Sequence, residues 1–403
     1  MKRSVINAFG VVAVCCTSLV AAEPKQKMAL DFTAAQQPPS ATPSQKDSLI
    51  QLALLIDTSG SMEGLVDQAR YQLWNVVSDL AKARRGTQTI RLEIGVYQYG
   101  TDRVAKSKDC LRQIVGFTED LDEVSRGLFS LHVSGGDEYC ASAIARCLDD
   151  LEWSSDPSVY KAVFIAGNES FDQGKTTLGE VLPAVKQKSV FLNTVYCGTK
   201  YEGRPQWDVA AKIAGGLASF IDHNHHLPNM PTPYDARMRE LNEEMNETFV
   251  WYGKGAAKAA SNQGKQDRNA DKMSDHAFAA RMSAKIGHLY HHIDHDLVDA
   301  INHGHASLDK MPESLMPPVL SQKSSDERRT YMDEMIARRS SVRRRMAEVL
   351  SQRQRFLENE LLKRGVEAKT VLGDALGEAI KDQAATLGYT FSGDQSLASK
   401  QSS

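Results

Sequence analysis

Between residues 48 and 225 the apolar positions change period repeatedly, as they do in a chain that alternates strand and helix. Residues 52–56 are uninterrupted apolar, the pattern of a strand buried on both faces of a parallel sheet. Leu65, Ala69, Leu73, Val76, Val77 and Leu80 then recur at helical spacing. Leu92, Ile94 and Val96 alternate within a strand over 91–97, and 110–117 reads as a short strand returning beside it. Ile144, Leu148 and Leu151 place a helix over 141–151. A strand at 162–166, a helix at 177–186, a strand at 190–196, a helix at 207–214 and a strand at 219–221 follow. Strands separated by helices predict an α/β fold: a Rossmann-like three-layer domain with a mostly parallel central sheet, over 48–225. In such sheets ligands gather beyond the carboxyl ends of the strands.

From 226 to 391 the strand signal disappears except at Tyr389, Thr390 and Phe391. Helical patterns cover 235–247, 270–303, 325–364 and 368–387, so an all-α region is expected to follow the sheet. In the third of these, Met335, Arg339, Val342, Met346, Val349, Arg353 and Phe356 recur at alternating steps of four and three. That spacing predicts a coiled-coil seam or helical hairpin, with arginine at two seam positions, and makes this helix a candidate for self-association.

The two ends read differently from the middle. Lys2 and Arg3 precede an apolar stretch over 11–20 and then Ala21 and Ala22, the order of a secretory signal peptide spanning 1–22. Residues 23–47 are rich in Pro, Gln, Ala and Ser and read as a flexible linker, and 392–403 as a disordered tail. No later segment is apolar for long enough to span a membrane permanently. A periplasmic or secreted protein is therefore expected. The net charge of −3 over 403 residues gives no reason to expect nucleic acid as a partner. In an oxidising compartment Cys110, Cys140, Cys147 and Cys197 become disulfide candidates. Their spacing fits no zinc pattern, and four cysteines permit three complete pairings. Cys140 opens a helix and Cys197 ends a strand on one presumed edge, which makes them the favoured pair, with Cys110 and Cys147 left over.

The apolar run at 52–56 stops at Asp57, Ser59 and Ser61, with Gly60 between the serines. One carboxylate and two hydroxyls at alternate positions of a turn suit a hard, oxygen-seeking cation such as Mg²⁺ or Mn²⁺. A serine-capped helix start is the plainer alternative. Two later loops lie in matching places. Ser134-Gly135-Gly136-Asp137-Glu138-Tyr139-Cys140 precedes a helix, where Asp137 is either a ligand or a helix cap. Ala166-Gly167-Asn168-Glu169 ends a strand, where Asn168 and Glu169 are either ligands or turn formers.

At these residues the chain resembles the von Willebrand factor type A (VWA) domain and its metal-ion-dependent adhesion site (MIDAS). The resemblance implies metal ligands at Asp57, Ser59, Ser61 and Asp137, with Asn168 or Glu169 completing the ring. It departs from the family twice: Asp137 stands where a threonine is common, and the third loop lacks the usual Thr-Asp-Gly. The segments GGDEYC, FIAGNESF, Cys197-Gly198, NETFVWYGKGAA, QDRNA and DLVDAI are similar to one bacterial secreted subfamily of these domains, over roughly 50–390. The family implies metal-dependent binding of a protein partner, one whose acidic residue completes the cation's coordination, and no enzymatic reaction. A metal-assisted hydrolase and a metal-independent scaffold acting through its helices are the alternatives.

Three further patterns carry less. Gly174-Lys175-Thr176-Thr177 imitates the end of a phosphate-binding loop, but Glu169 stands where its first glycine should. Seven histidines fall between His276 and His305, and a continuous helix would put His288, His292, His295, Asp299 and His303 on one face; a solvated face is expected there, with adventitious metal binding second. Arg338, Arg339, Arg343, Arg344 and Arg345 lie among acids and read as a solvated, ion-paired surface.

Overall fold

The computed structural model describes residues 47–105, 108–171, 173–198, 204–222, 230–364 and 372–391. The expected signal peptide, all but the last residue of the linker, and the tail lie outside them. Six strands form one sheet: β1 (Ser48–Asp57), β3 (Ile90–Tyr99), β4 (Arg112–Thr118), β5 (Tyr160–Gly167), β6 (Phe191–Cys197) and β7 (Ala218–Ile221), in the order β4-β3-β1-β5-β6-β7. Only the β3–β4 pairing is antiparallel. The central strand β1 explains the unbroken apolar run. Ile50, Leu52, Leu54 and Ile56 enter the core on one face, and Ala53 and Leu55 enter the core on the other.

Helices cover both faces. On one lie α3 (Cys140–Asp150), α4 (Leu178–Gln187) and α5 (Arg204–Ile213), and on the other α1 (Glu63–Leu80) and α2 (Leu121–Phe129). The three-layer α/β architecture is thus as expected. The short strand β2 (Ala83–Arg85) stands outside the main sheet.

The chain then leaves the sheet for α6 (Asp235–Asn246), α7 (Ala256–Met273), α8 (Asp275–Lys285), α9 (Leu297–Asn302), α10 (Pro318–Ser321) and the 40-residue α11 (Ser325–Arg364). It returns as α12 (Leu372–Thr386), whose Leu372, Ala375, Leu376, Ala379, Ile380 and Ala384 join the same core as β1 and α1. Gln383, buried in α12, accepts from Tyr160 of β5 (2.9 Å) and Asn193 of β6 (3.1 Å). The last strand, β8 (Tyr389–Phe391), pairs antiparallel with β2. The α/β core is therefore completed by the C-terminal segment, with the other helices inserted between β7 and α12.

The structure departs from several of these expectations. The helix expected over 270–303 is broken. Ser274 is extended and caps α8, its hydroxyl accepting the Ala277 N–H at 3.0 Å, and residues 286–296 are irregular because Asp296 caps α9 and accepts the Val250 N–H at 2.7 Å. The histidines consequently share no helical face. The long helix does not stand apart from the chain: Met332, Arg339, Val342, Met346, Arg353 and Leu357 are its buried residues, and α6, α8 and α9 lie against it. Nor is the arginine run wholly solvated. Arg339 is buried, donating to Asp296, to Asp299 (2.9 Å) and to Thr248.

The disulfides are another departure. Cys110, Cys140, Cys147 and Cys197 are free and buried. The favoured pair fails because strand alternation separates it: Cys140 packs in the core on the α3 face, Cys197 in the core on the α1 face. Burial pushes the thiols of Cys140, Cys147 and Cys197 up. Native protein should therefore resist alkylation at all four positions, and peptide mapping without reduction after unfolding should find each one as a free thiol. A bridged peptide would overturn this.

Candidate functional site

Three loops meet beyond the carboxyl end of β1. Asp57, the last residue of that strand, is fully buried, and its Oδ1 accepts the Ser59 N–H at 2.8 Å. Its Oδ2 is buried and has no hydrogen-bond partner. Two glycines let backbone close over the carboxylate. A Cβ on Gly100 (φ +69°) would fall 2.5 Å from Asp57 Oδ1, and one on Gly167 would meet the Tyr99 hydroxyl at 2.3 Å and Asp57 Oδ2 at 3.0 Å.

The turn after Asp57 is braced from β3. The Thr58 hydroxyl donates to the Tyr99 carbonyl (3.0 Å) and accepts from Gln98 Nε2 (2.9 Å). The Ser134 N–H donates to the Thr58 carbonyl (2.9 Å), which ties the second loop to the first. Ser59 is buried and Ser61 exposed. Neither serine caps α1, whose N-cap position is Met62 with no side-chain hydrogen bond, so the capping alternative does not account for them.

Of the two acids in the second loop, Glu138 is the one that bears on Asp57. The Ser59 hydroxyl interacts with both carboxylates, and the Glu138 charge raises the Asp57 pKa. Asp137 instead accepts from the Tyr139 hydroxyl at 2.7 Å. It does not cap α3 either, since that helix starts after Tyr139 without a side-chain cap. From the third loop Glu169 joins the group. Gln173 Nε2 bridges Glu138 Oε2 (3.3 Å) and Glu169 Oε2 (3.4 Å), while the Glu138 N–H donates to Gln173 Oε1 (3.1 Å). The backbone of Glu169 is held by Trp207, whose indole N–H donates to its carbonyl at 2.7 Å. Asn168 contributes a second orphan, a buried Oδ1 with no partner.

Burial pushes the Asp57 carboxyl up to about 8, with the charges of Glu138 and Glu169 adding to the shift and the Ser59 N–H opposing it. Burial and Glu169 likewise raise Glu138. A buried carboxylate left without a counter-charge is unfavourable unless a proton or a cation neutralises it. The donor set of carboxylates, a hydroxyl and an amide oxygen is all oxygen, the chemistry of Mg²⁺, Mn²⁺ or Ca²⁺ sites. By donor chemistry Asp57, Ser59, Asn168, Glu138 and Glu169 are the residues that would hold a divalent cation, although the carboxylate oxygens of Asp57, Glu138 and Glu169 do not all lie within 4.8 Å of one another. Sequence reasoning missed Glu138, although it stands inside the same Gly-Gly-Asp-Glu run, and missed Gln173.

A second group of acids lies elsewhere. Ligand atoms of Asp120, Asp122 and His292 lie within 4.8 Å of one another. Here the counter-charge is already present: Asp122 accepts from Arg281 (2.7 Å) and the Tyr290 hydroxyl (2.7 Å), with His292 Nε2 at 3.2 Å. Asp120 is occupied in capping α2. This is the edge of a buried ionic network in which Asp267 accepts from Arg281 (2.6 Å) and Lys285 (2.8 Å).

The arrangement defines a class: a mostly parallel, three-layer α/β domain with an acidic cradle at the carboxyl end of its central strand. No protein-family model and no curated protein matches the chain. Solved structures similar to it include the VWA domain of SpRpn10, at 13% identity and a TM-score of 0.32, covering 44% of this chain and 91% of that one. A von Willebrand factor type A protein from Catenulispora acidiphila is similar at 14% identity and a TM-score of 0.31, covering 43% and 39%. Proximal thread matrix protein 1 from the mussel byssus, with a zinc-occupied MIDAS motif, is similar at 11% identity and a TM-score of 0.33, covering 44% of this chain and 43% of that one. The chain thus spans about two fifths of the length of the latter two. At such identities the likeness is one of fold alone.

Proposed function

We propose that this chain is an exported, VWA-like binding protein of the periplasm or the extracellular space that engages a protein partner at the acidic edge of its sheet when a divalent cation, Mg²⁺ or Mn²⁺, is bound there. It is not read as an enzyme. The observation that carries the reading is the orphaned, buried Asp57 Oδ2, set among Glu138, Glu169 and Asn168. The signal-peptide pattern and the resemblance to a secreted VWA subfamily support export. No helix among the described residues is long and apolar enough to cross a membrane.

The bound cation would neutralise the cradle and fix the three loops relative to one another, which makes the edge a defined surface. Capture of a partner from envelope extract by wild type with Mg²⁺, and loss of that partner with chelator or in Asp57→Ala, is the expected outcome. Equal capture by both proteins, each tested with Mg²⁺ and with chelator, would move the binding surface to the helices and end this reading.

The cradle also predicts an unusual pH dependence. Asp57 ionises near 3.8 when unfolded but only at about 8 in the metal-free fold. Between those values the unfolded chain gives up a proton that the native chain keeps, so stability falls as pH rises, by at most about 1.4 kcal/mol per unit. In chelator, wild type should therefore lose melting temperature relative to Asp57→Asn between pH 5 and pH 8. Saturating Mg²⁺ should remove that loss. Parallel melting curves for the two proteins in chelator would contradict the assignment of Asp57.

A further inference from the structure

The resemblance leads to a cation short of anionic ligands, ready to accept a carboxylate from the partner. The geometry argues otherwise. Asp57, Glu138 and Glu169 together carry more negative charge than a dication can neutralise when all three are ionised, which leaves little attraction for a fourth carboxylate. An acidic partner needs a different receptor at this edge.

One lies beside the metal loop. Gln98 is buried between the two: its Nε2 donates to Thr58 Oγ1 (2.9 Å) and to the His132 carbonyl (3.3 Å), while its Oε1 accepts from Arg112 Nη2 (3.0 Å). Arg112 is thereby fixed in the wall of an open pocket of about 300 Å³, which Arg103, Ser130 and His132 also line. Among the described residues no carboxylate lines that pocket. Nor does either arginine form a salt bridge among the described residues. Most other described arginines are paired, among them Arg70, Arg91, Arg126, Arg146, Arg239 and Arg281. Two guanidinium groups sharing one concavity without a counter-ion form an anion receptor, and the planar guanidinium fork matches a carboxylate.

We infer that the pocket of Arg103 and Arg112 receives an aspartate or glutamate side chain of the protein partner, while the cation holds the adjoining loops in place. This rests on the proposed function only in placing a protein partner at this edge. The pocket admits a side chain and not a polymer. Glu138 and Glu169 on the same edge, with a net charge of −3 for the whole chain, repel an extended polyanion. Because Gln98 contacts both Arg112 and Thr58, the occupied pocket and the ordered metal loop favour each other.

The test uses the full chain and a fluorescein-labelled Gly-Glu repeat peptide, with its Gly-Gln counterpart as control, read by anisotropy. Wild type should bind the Glu peptide and not the Gln peptide. The double variant Arg103→Ala, Arg112→Ala should bind it about tenfold or more weakly, with its calorimetric Mg²⁺ affinity and melting temperature unchanged. Failure of wild type to bind, equal binding of the Gln peptide, or undiminished binding by the double variant would overturn the inference. Displacement of the peptide by inorganic phosphate at equal concentration would also overturn it, making the pocket a phosphate site. The metal reading fails separately: if Asp57→Ala binds the peptide as well as wild type while the arginine variant does not, the pocket stands and the metal dependence falls.

Discussion

Asp57→Ala should abolish Mg²⁺ binding in calorimetric titration, because it removes the one carboxylate that the central strand supplies to the proposed site. Glu138→Ala should weaken binding by about tenfold to a hundredfold, the range seen when a residue that supports a metal ligand is lost. Asp137→Ala should leave the affinity near that of wild type, since its carboxylate is engaged by the Tyr139 hydroxyl and only its neighbour bears on Asp57. The order of these three effects is the discriminating result. If Asp137→Ala weakened binding more than Glu138→Ala, the second-loop ligand would be the one that the family resemblance implies. Asp57→Asn gives a control in which the loop keeps its shape and loses the charge.

That contrast between neighbouring residues marks where reading the sequence stops. Periodicity locates strands and helices because burial has a period, and it placed β1, β5 and β6 well. A loop has no period, so nothing in the sequence decides whether Asp137 or Glu138 turns towards Asp57. The same limit hid much of α7. Its buried residues are Gln263, Gln266, Asp267 and Ala270. A helix that buries polar groups against charged partners shows no apolar stripe, so only its last residues fell within an expected helix. The break after Met273 was missed because Ser274 acts through a cap and not through hydrophobic pattern. For 372–386 the helix itself was legible but its place was not, since the same apolar stripe would serve equally against another helix or against the sheet.

The second large effect concerns stability. Arg281 is fully buried on α8, donating to Asp122 of α2 and Asp267 of α7, with its guanidinium 4.7 Å from the centre of the Trp74 ring. Arg281→Ala would remove the counter-charge that two buried carboxylates share and should cost about 3–5 kcal/mol, read as a lower urea midpoint. Arg344→Ala, on the exposed side of α11, should change stability by less than about 0.5 kcal/mol. The same network sets the acid limit of the fold. Arg281 and His292 hold the Asp122 carboxyl well below its ordinary value, and Lys285 and Arg281 do so for Asp267. Their contribution is complete above about pH 4 and is lost as pH falls through their native values. Wild type should therefore lose stability steeply below pH 4. Arg281→Ala, having forfeited most of that contribution, should show a shallower slope. Equal slopes would remove the network from the account of acid unfolding.

The route of the chain out of the sheet and back has a consequence for how the molecule is made. α1 and α2 cover only part of their face of the sheet; over β5, β6 and β7 it stays bare until α12 lays Leu376, Ala379 and Ile380 against it, and those residues are separated from β7 by about 150 others. The α/β layer therefore cannot finish folding when its last strand is synthesised; it must wait for a helix made about 150 residues later. Contacts of such long sequence separation slow folding and leave apolar strand surface uncovered in the interval. Truncation anywhere before α12 would leave that surface uncovered permanently, so a loss of the last helix would act as a lesion of the sheet, however far along the chain it falls.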